Sequence, residues 1–167
     1  LLELIRFKST EVDGYTSLAA YKERMKDDQK GIYYITGENE DTLRNSPLIE
    51  GYVKQGIEVL IMSDEIDEIV IPSVGKYKDV DLKAVNKSGT AEDFKTEEDK
   101  EKEKKVEPLL KKIKDALGDR VKDVVASKRL SDSPSCIVAD ENDPTVQMQQ
   151  MLKAMGQKDI PEFVPIL

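Results

Sequence analysis

The chain has 167 residues, of which 38% are hydrophobic and 36% are charged, and its net charge is −8 at neutral pH. This acidic balance argues against a nucleic-acid partner, because phosphate backbones need a concentrated positive surface. No apolar run is long enough to suggest a membrane span. The sequence contains no histidine, which removes a common zinc ligand and the Ser-His and Cys-His pairs of nucleophilic enzymes.

The first part of the chain predicts one α/β unit. Residues 1–7 (LLELIRF) have the leucine-rich face of a helix, and Ser17 is expected to cap a short second helix. The runs GIYYIT (31–36) and IEVLIM (57–62) are rich in β-branched and aromatic residues, which predicts two buried strands. Helical segments lie between them, one beginning at Pro47. This order predicts a βαβ unit with parallel strands and a right-handed connection.

Beyond the second strand, Ser63 is predicted to cap a helix whose first turn is acidic. The composition then changes, because residues 86–108 are dense in charges of both signs. Such a segment predicts a solvated linker that leads into an exposed helix. We therefore expect two domains, residues 1–90 and residues 91–167.

The second domain is expected to be small and α+β. Its first helix ends at Gly118 and has an apolar face formed by Val106, Leu109, Leu110, Ile113 and Leu117. Short strands are predicted at residues 120–127 and 135–140. A last helix follows, with Asp143 as its predicted N-cap and Pro144 at its first position.

The residues offer no catalytic, cofactor-binding or metal-binding site. The glycines match neither of the common phosphate-binding patterns, and the carboxylates of residues 64–68 fit a helix start better than acid–base chemistry. Cys136 lies in an apolar segment and is interpreted as an inert buried thiol. A single cysteine cannot form an internal disulfide, which suits a reducing cytoplasm.

The last helix has an unusual apolar face. Met148, Met151, Leu152 and Met155 follow the spacing i, i+3, i+4, i+7, so they share one side of the helix. Such a face is usually core, as it would be in a small α/β enzyme or regulatory domain. Methionine is also flexible and suits surfaces that accept varied partners. The residues leave both interpretations open.

Four stretches share their order with a known family. They are LLELIRFKST, TSLAAYKERMKDDQKGIYYITG, LRNSPLIEGYVKQGIEVLIMSDEIDE and VKDVVASKRLSDSPSCIV. Together they resemble the heat shock protein 90 chaperone family, most closely its bacterial high-temperature protein G branch. The resemblance implies that residues 1–90 end the family's middle domain and that residues 91–167 begin its carboxy-terminal dimerisation domain.

The resemblance also implies a function. The chain would be a fragment of a cytoplasmic, ATP-dependent chaperone that binds and remodels partly folded client proteins, with co-chaperones as further partners. The family's ATP and Mg²⁺ site would precede this chain and its dimerisation helices would follow it. The fragment is therefore expected to be a non-catalytic monomer without a cofactor, in a parent that is a homodimer.

The same resemblance assigns a role to the last helix, residues 145–155. Met148, Met151 and Leu152 match apolar client-contacting positions, and Met155 is added because it shares their face.

Two features depart from the family pattern. Pro144 stands where relatives often have another methionine. Pro72 with Gly75 should shorten the helix that follows the DEIDE sequence.

Overall fold

The computed structural model describes residues 2–94, 97–157 and 162–167. The chain folds as two compact units, residues 1–85 and residues 86–167. In the described part, no helix is long and apolar enough to cross a membrane.

The described residues form five strands and six α-helices. The strands are β1 (Lys8–Ser9), β2 (Ile32–Thr36), β3 (Val59–Met62), β4 (Lys76–Tyr77) and β5 (Val80–Ala84). The helices are α1 (Leu18–Arg24), α2 (Glu40–Arg44), α3 (Pro47–Lys54), α4 (Asp67–Val74), α5 (Glu97–Leu117) and α6 (Val146–Ala154). The predicted α/β class is confirmed.

One mixed sheet organises the first unit, with the strand order β1-β3-β2-β5-β4. The central strand β2 is parallel to both β3 and β5, with Tyr34 opposite Leu60 on one side and Ala84 on the other. The edge strands β1 and β4 are antiparallel to their neighbours. Every residue of β2 and β3 is buried, as expected of parallel strands that are covered on both faces. The predicted parallel βαβ unit is confirmed.

The core of this unit lies between α1 and the sheet, where Leu18 and Tyr21 pack with Ile32 and Leu60. The predicted caps are also present. The hydroxyl of Ser17 accepts a hydrogen bond from the Ala20 amide, which fixes the start of α1. Ser46 caps α3, which begins at Pro47 as predicted.

Two helix predictions in this unit are wrong. Residues 2–4 form a turn instead of a helix, and Phe7 pairs with Thr16 as an isolated bridge. Ser63 does not cap α4, because a turn precedes the helix. In this turn the Asp67 amide donates a hydrogen bond to the Asp64 carbonyl. The helix therefore begins at Asp67, later than a Ser63 cap would place it.

Pro72 lies inside α4, and the helix ends at Val74, directly before Gly75. Gly75 follows with φ 68°, a conformation that glycine adopts at little cost. The hairpin of β4 and β5 has no counterpart in the sequence predictions. Its turn contains Lys78 with φ 53°, and Lys76 pairs with Asp81 across the strands.

The helix α5 of the second unit is longer than the apolar pattern predicts, because it begins at Glu97 in the charged segment. Pro108 lies inside it. An ion pair of 2.8 Å joins Glu107 to Lys111 one turn later, which is a common support for an exposed helix. The charged segment thus becomes helix from Glu97 onward, and residues 95–96 of the predicted linker lie outside the described residues.

The two strands predicted in the second unit do not form. Residues 120–127 and 135–140 contribute only isolated bridges, among them those from Asp123 and Val138 to Ile166. Alternating polarity is a local preference, whereas a strand also needs an aligned partner over several residues.

Candidate functional site

The four residues predicted to contact a partner all lie on the helix α6 or at its C-cap. The start of this helix differs from the prediction. It begins at Val146, and its N-cap is Thr145, whose Oγ1 accepts a hydrogen bond from the Met148 amide at 3.2 Å. The prediction that Asp143 and Pro144 start this helix is wrong. The Asp143 carboxylate instead pairs with Lys122 at 3.1 Å.

The end of α6 is capped by the backbone. Gly156 has φ 83°, its amide donates to the Lys153 carbonyl at 3.0 Å, and the Gln157 amide donates to the Leu152 carbonyl at 3.1 Å. These two bonds form a Schellman motif, which satisfies carbonyls that the helix itself cannot pair. The short helix is therefore closed at both ends by local hydrogen bonds.

Two lysines hold the loop that leads into α6. The Nζ of Lys87 donates to the carbonyls of Asp140 and Glu141, both at 3.3 Å, and to the carbonyl of Asp143. The Nζ of Lys122 pairs with the Asp140 carboxylate at 2.9 Å. The hydrogen bond from Lys122 lowers the pKa of Asp140, and the same bond raises the pKa of Lys122. Both groups are therefore charged at neutral pH, and the loop is fixed electrostatically.

The apolar face of α6 is not its most buried side. Gln149 is 5% exposed, whereas Met148, Met151 and Leu152 are half-buried and Met155 is 69% exposed. At about 100° per residue, Met148 lies roughly a quarter turn away from Gln149 around the helix axis. An ordinary amphipathic helix would bury its apolar side. In α6 the polar Gln149 is the most buried residue, and of the four apolar residues only Met155 is mostly exposed.

The glycines around β2 serve packing. A Cβ on Gly37, directly after β2, would lie 2.7 Å from the Leu43 side chain, and one on Gly31 would lie 2.9 Å from the Asp81 carbonyl. In nucleotide-binding α/β folds, glycines after a parallel strand instead leave room for phosphate. Gly31 and Gly37 thus bracket β2 where neighbouring residues approach the backbone closely.

Sequence reasoning missed an apolar groove beside α5. The groove has a volume of about 400 Å³ and is lined by residues of the segment 124–138 and by the predicted apolar face of the helix without Leu117. Cys136 is half-buried and lines this groove, so its prediction as a buried strand thiol is wrong. The groove also includes Arg129, which is 3% exposed. No local pattern signals a charged side chain that becomes buried in a loop.

The model of the family described as Hsp90 protein matches residues 1–163. The chain belongs to the Hsp90 family. Three curated relatives are named chaperone protein HtpG: those of Treponema denticola, 57% identical, Treponema pallidum, 51%, and Wolinella succinogenes, 50%. Each alignment covers all of this chain and 27%, 27% and 28% of the relative, respectively. The chain thus spans about 27% of the length of the Hsp90 relatives it matches.

The two most specific Hsp90-like stretches fall on features already described. YKERMKDDQKGIYYITG, residues 21–37, forms the end of α1 and the whole of β2. VASKRLSDSPSCIV, residues 125–138, supplies part of the groove beside α5, including Arg129. The resemblance stated from the sequence is confirmed at the level of the family.

Proposed function

We propose that this chain is part of an ATP-dependent Hsp90 chaperone and that α6 binds partly folded client proteins. Membership of the family and the names of the relatives support the first statement. The observation that supports the second is an apolar face that stays partly accessible, with Met155 69% exposed, on a helix that local hydrogen bonds close at both ends.

The proposed binding follows from the chemistry of that face. Docking of an apolar client segment would remove the side chains of Met148, Met151, Leu152 and Met155 from water, at about 25 cal/mol per Å² of apolar surface. Methionine has an unbranched, polarisable side chain that adapts to differently shaped partners. The loop bound by Lys87 and Lys122 would hold the start of the helix in place.

The remaining chaperone functions are proposed for the longer protein. ATP and Mg²⁺ binding, the catalytic residues and homodimerisation would reside outside this chain, which would itself be non-catalytic and monomeric. Co-chaperones would be further partners, and the cytoplasm would be the compartment. A calorimetric titration in which this chain binds ATP with micromolar affinity would contradict that arrangement.

Serine replacement of Met148 and Met151 tests the client-binding face. We expect Met148→Ser with Met151→Ser to weaken binding of reduced, carboxymethylated α-lactalbumin about tenfold in fluorescence anisotropy, since two apolar contacts are lost. The matched control is Gln147→Ser with Gln150→Ser, which changes helix propensity similarly at two positions of α6 that do not belong to the four-residue apolar face. The control should bind like the parent chain.

Urea unfolding of the same variants separates binding from folding. Substitutions at partly exposed positions should change the free energy of unfolding by no more than about 1 kcal/mol, in both the methionine and the glutamine variants. Large-to-small changes in a core cost about 2–5 kcal/mol each. A loss of that size in the methionine variant alone would assign α6 to the core and contradict the proposal.

A further inference from the structure

The apolar groove beside α5 is a separate surface from the methionine face of α6, which consists of Met148, Met151, Leu152 and Met155. On one side α5 contributes Val106, Leu109 and Ile113, and the segment 124–138 contributes most of the rest. Leu109 is 56% exposed and Val106 is 38% exposed, so this apolar surface is open to solvent. No residue in the described part of α6 lines the groove.

Arg129 gives the groove a chemical preference. Its Nη2 donates to the carbonyls of Lys87 at 2.8 Å and Ser88 at 3.4 Å, but its buried Nε makes no hydrogen bond within the described ranges. In the same ranges no Asp or Glu pairs with this guanidinium. A buried donor without an acceptor and a buried charge without a counter-charge both cost free energy. A carboxylate that contacts Arg129 from the groove would supply the missing counter-charge.

Further positive charge lies along one edge of the groove. Lys105 and Lys112 are exposed and stand four residues before and three residues after Leu109 on α5. Residues at these spacings are neighbours on a helix surface. The apolar groove therefore combines a buried guanidinium with an exposed basic edge, although the whole chain is acidic.

We propose that this groove binds a peptide segment of a partner protein in which an Asp or Glu is flanked by apolar residues. The apolar side chains cover Leu109 and its neighbours on α5, while the carboxylate pairs with Arg129. Guanidinium and carboxylate groups match in shape and form the stronger, charge-assisted class of hydrogen bond. The complementarity of charge and apolar surface selects this partner over a purely apolar segment.

The test uses the 167-residue chain and a fluorescein-labelled octapeptide with leucines around one central glutamate. We expect saturable binding that weakens at least tenfold when the glutamate is replaced by glutamine, because the ion pair is lost. Leu109→Ser should weaken binding about fivefold. Ile137→Ser is the matched control, since Ile137 is 51% exposed in the same unit but does not line the groove.

Four outcomes would overturn the proposal: no saturable binding, equal affinity for the glutamate and glutamine peptides, equal effects of the two serine variants, or occupation of the groove by a second copy. Occupation by a second copy would appear in sedimentation as self-association that Leu109→Ser abolishes. Arg129→Lys keeps the charge but removes the planar guanidinium and should also weaken binding. If that variant does not fold, the comparison of the glutamate and glutamine peptides still tests the proposal. Client binding by the α6 variants is a separate readout, so either proposal can fail alone.

Discussion

Glu58 is a buried carboxylate whose charge is compensated by a single arginine. Its side chain is 6% exposed and accepts hydrogen bonds from Nε and Nη2 of Arg24 at 2.9 and 2.7 Å. Arg24 remains 37% exposed and also donates to the Thr16 hydroxyl. The pair joins the end of α1 to the residue before β3. Because the carboxylate is the better buried partner, removal of the arginine leaves the costlier group unpaired.

We predict that Arg24→Met lowers the free energy of unfolding by about 1–3 kcal/mol. The value lies below the roughly 3–5 kcal/mol of a fully buried pair, because water still reaches the arginine. Arg44→Met is the matched control: Arg44 is 34% exposed, but its partner Glu40 is 26% exposed and also pairs with Lys8. The control should cost less than about 1 kcal/mol in urea unfolding. Equal losses of unfolding free energy in the two variants would show that burial of the carboxylate does not set the cost of removing its arginine.

Among the elements, those with strong local signals were predictable. The runs of β-branched and aromatic residues identified β2 and β3, and Ser17 and Pro47 marked helix starts through capping chemistry that involves only neighbouring residues. The hairpin of β4 and β5 had no such signal. The hairpin carries Lys76, Asp81 and Lys83, and such charges suit the edge strand β4 but make the segment resemble a loop in sequence.

The second unit was predicted less well because its pairing is not local. Residues 120–127 alternate like a strand, yet only Asp123 finds a bridge partner, Ile166, far along the chain. The start of α6 was misplaced for a related reason. Asp143 is a good cap by residue type, but its carboxylate is taken by Lys122, and the neighbouring Thr145 caps the helix instead. The sequence does not show which acceptor a distant lysine will use.

The cap of α6 provides a prediction for this element. Thr145→Ala removes the Oγ1 that accepts from the Met148 amide and should destabilise the helix by about 1 kcal/mol. Thr145→Ser retains an equivalent oxygen and should leave the helix nearly unchanged. The measurement is the ¹³Cα secondary chemical shift over residues 146–154, which reports helix population. Similar ¹³Cα secondary shifts in the alanine and serine variants would show that the Thr145 cap does not stabilise α6.

On the scale of the whole molecule, the family resemblance was predictable because the motifs extend over both units. The groove was not, because it forms only when α5 and the segment 124–138 come together. The four residues of the methionine face were predictable as a set, since helical periodicity alone places them together. The periodicity of apolar residues does not indicate that Gln149, at 5% exposure, is more buried than any of them.

Amide hydrogen exchange should separate the buried strands of the first unit from α6 of the second unit. The amides of β2 and β3 are expected to exchange last, because both strands are wholly buried and joined by a continuous parallel ladder. The amides of α6 should exchange much earlier, because its ends are closed by local hydrogen bonds and its apolar face is only half-buried. Rates corrected for intrinsic exchange provide the comparison. If α6 were instead among the last segments to exchange, it would be part of the stable core, and the client-binding role of Met148 and Met151 would be excluded.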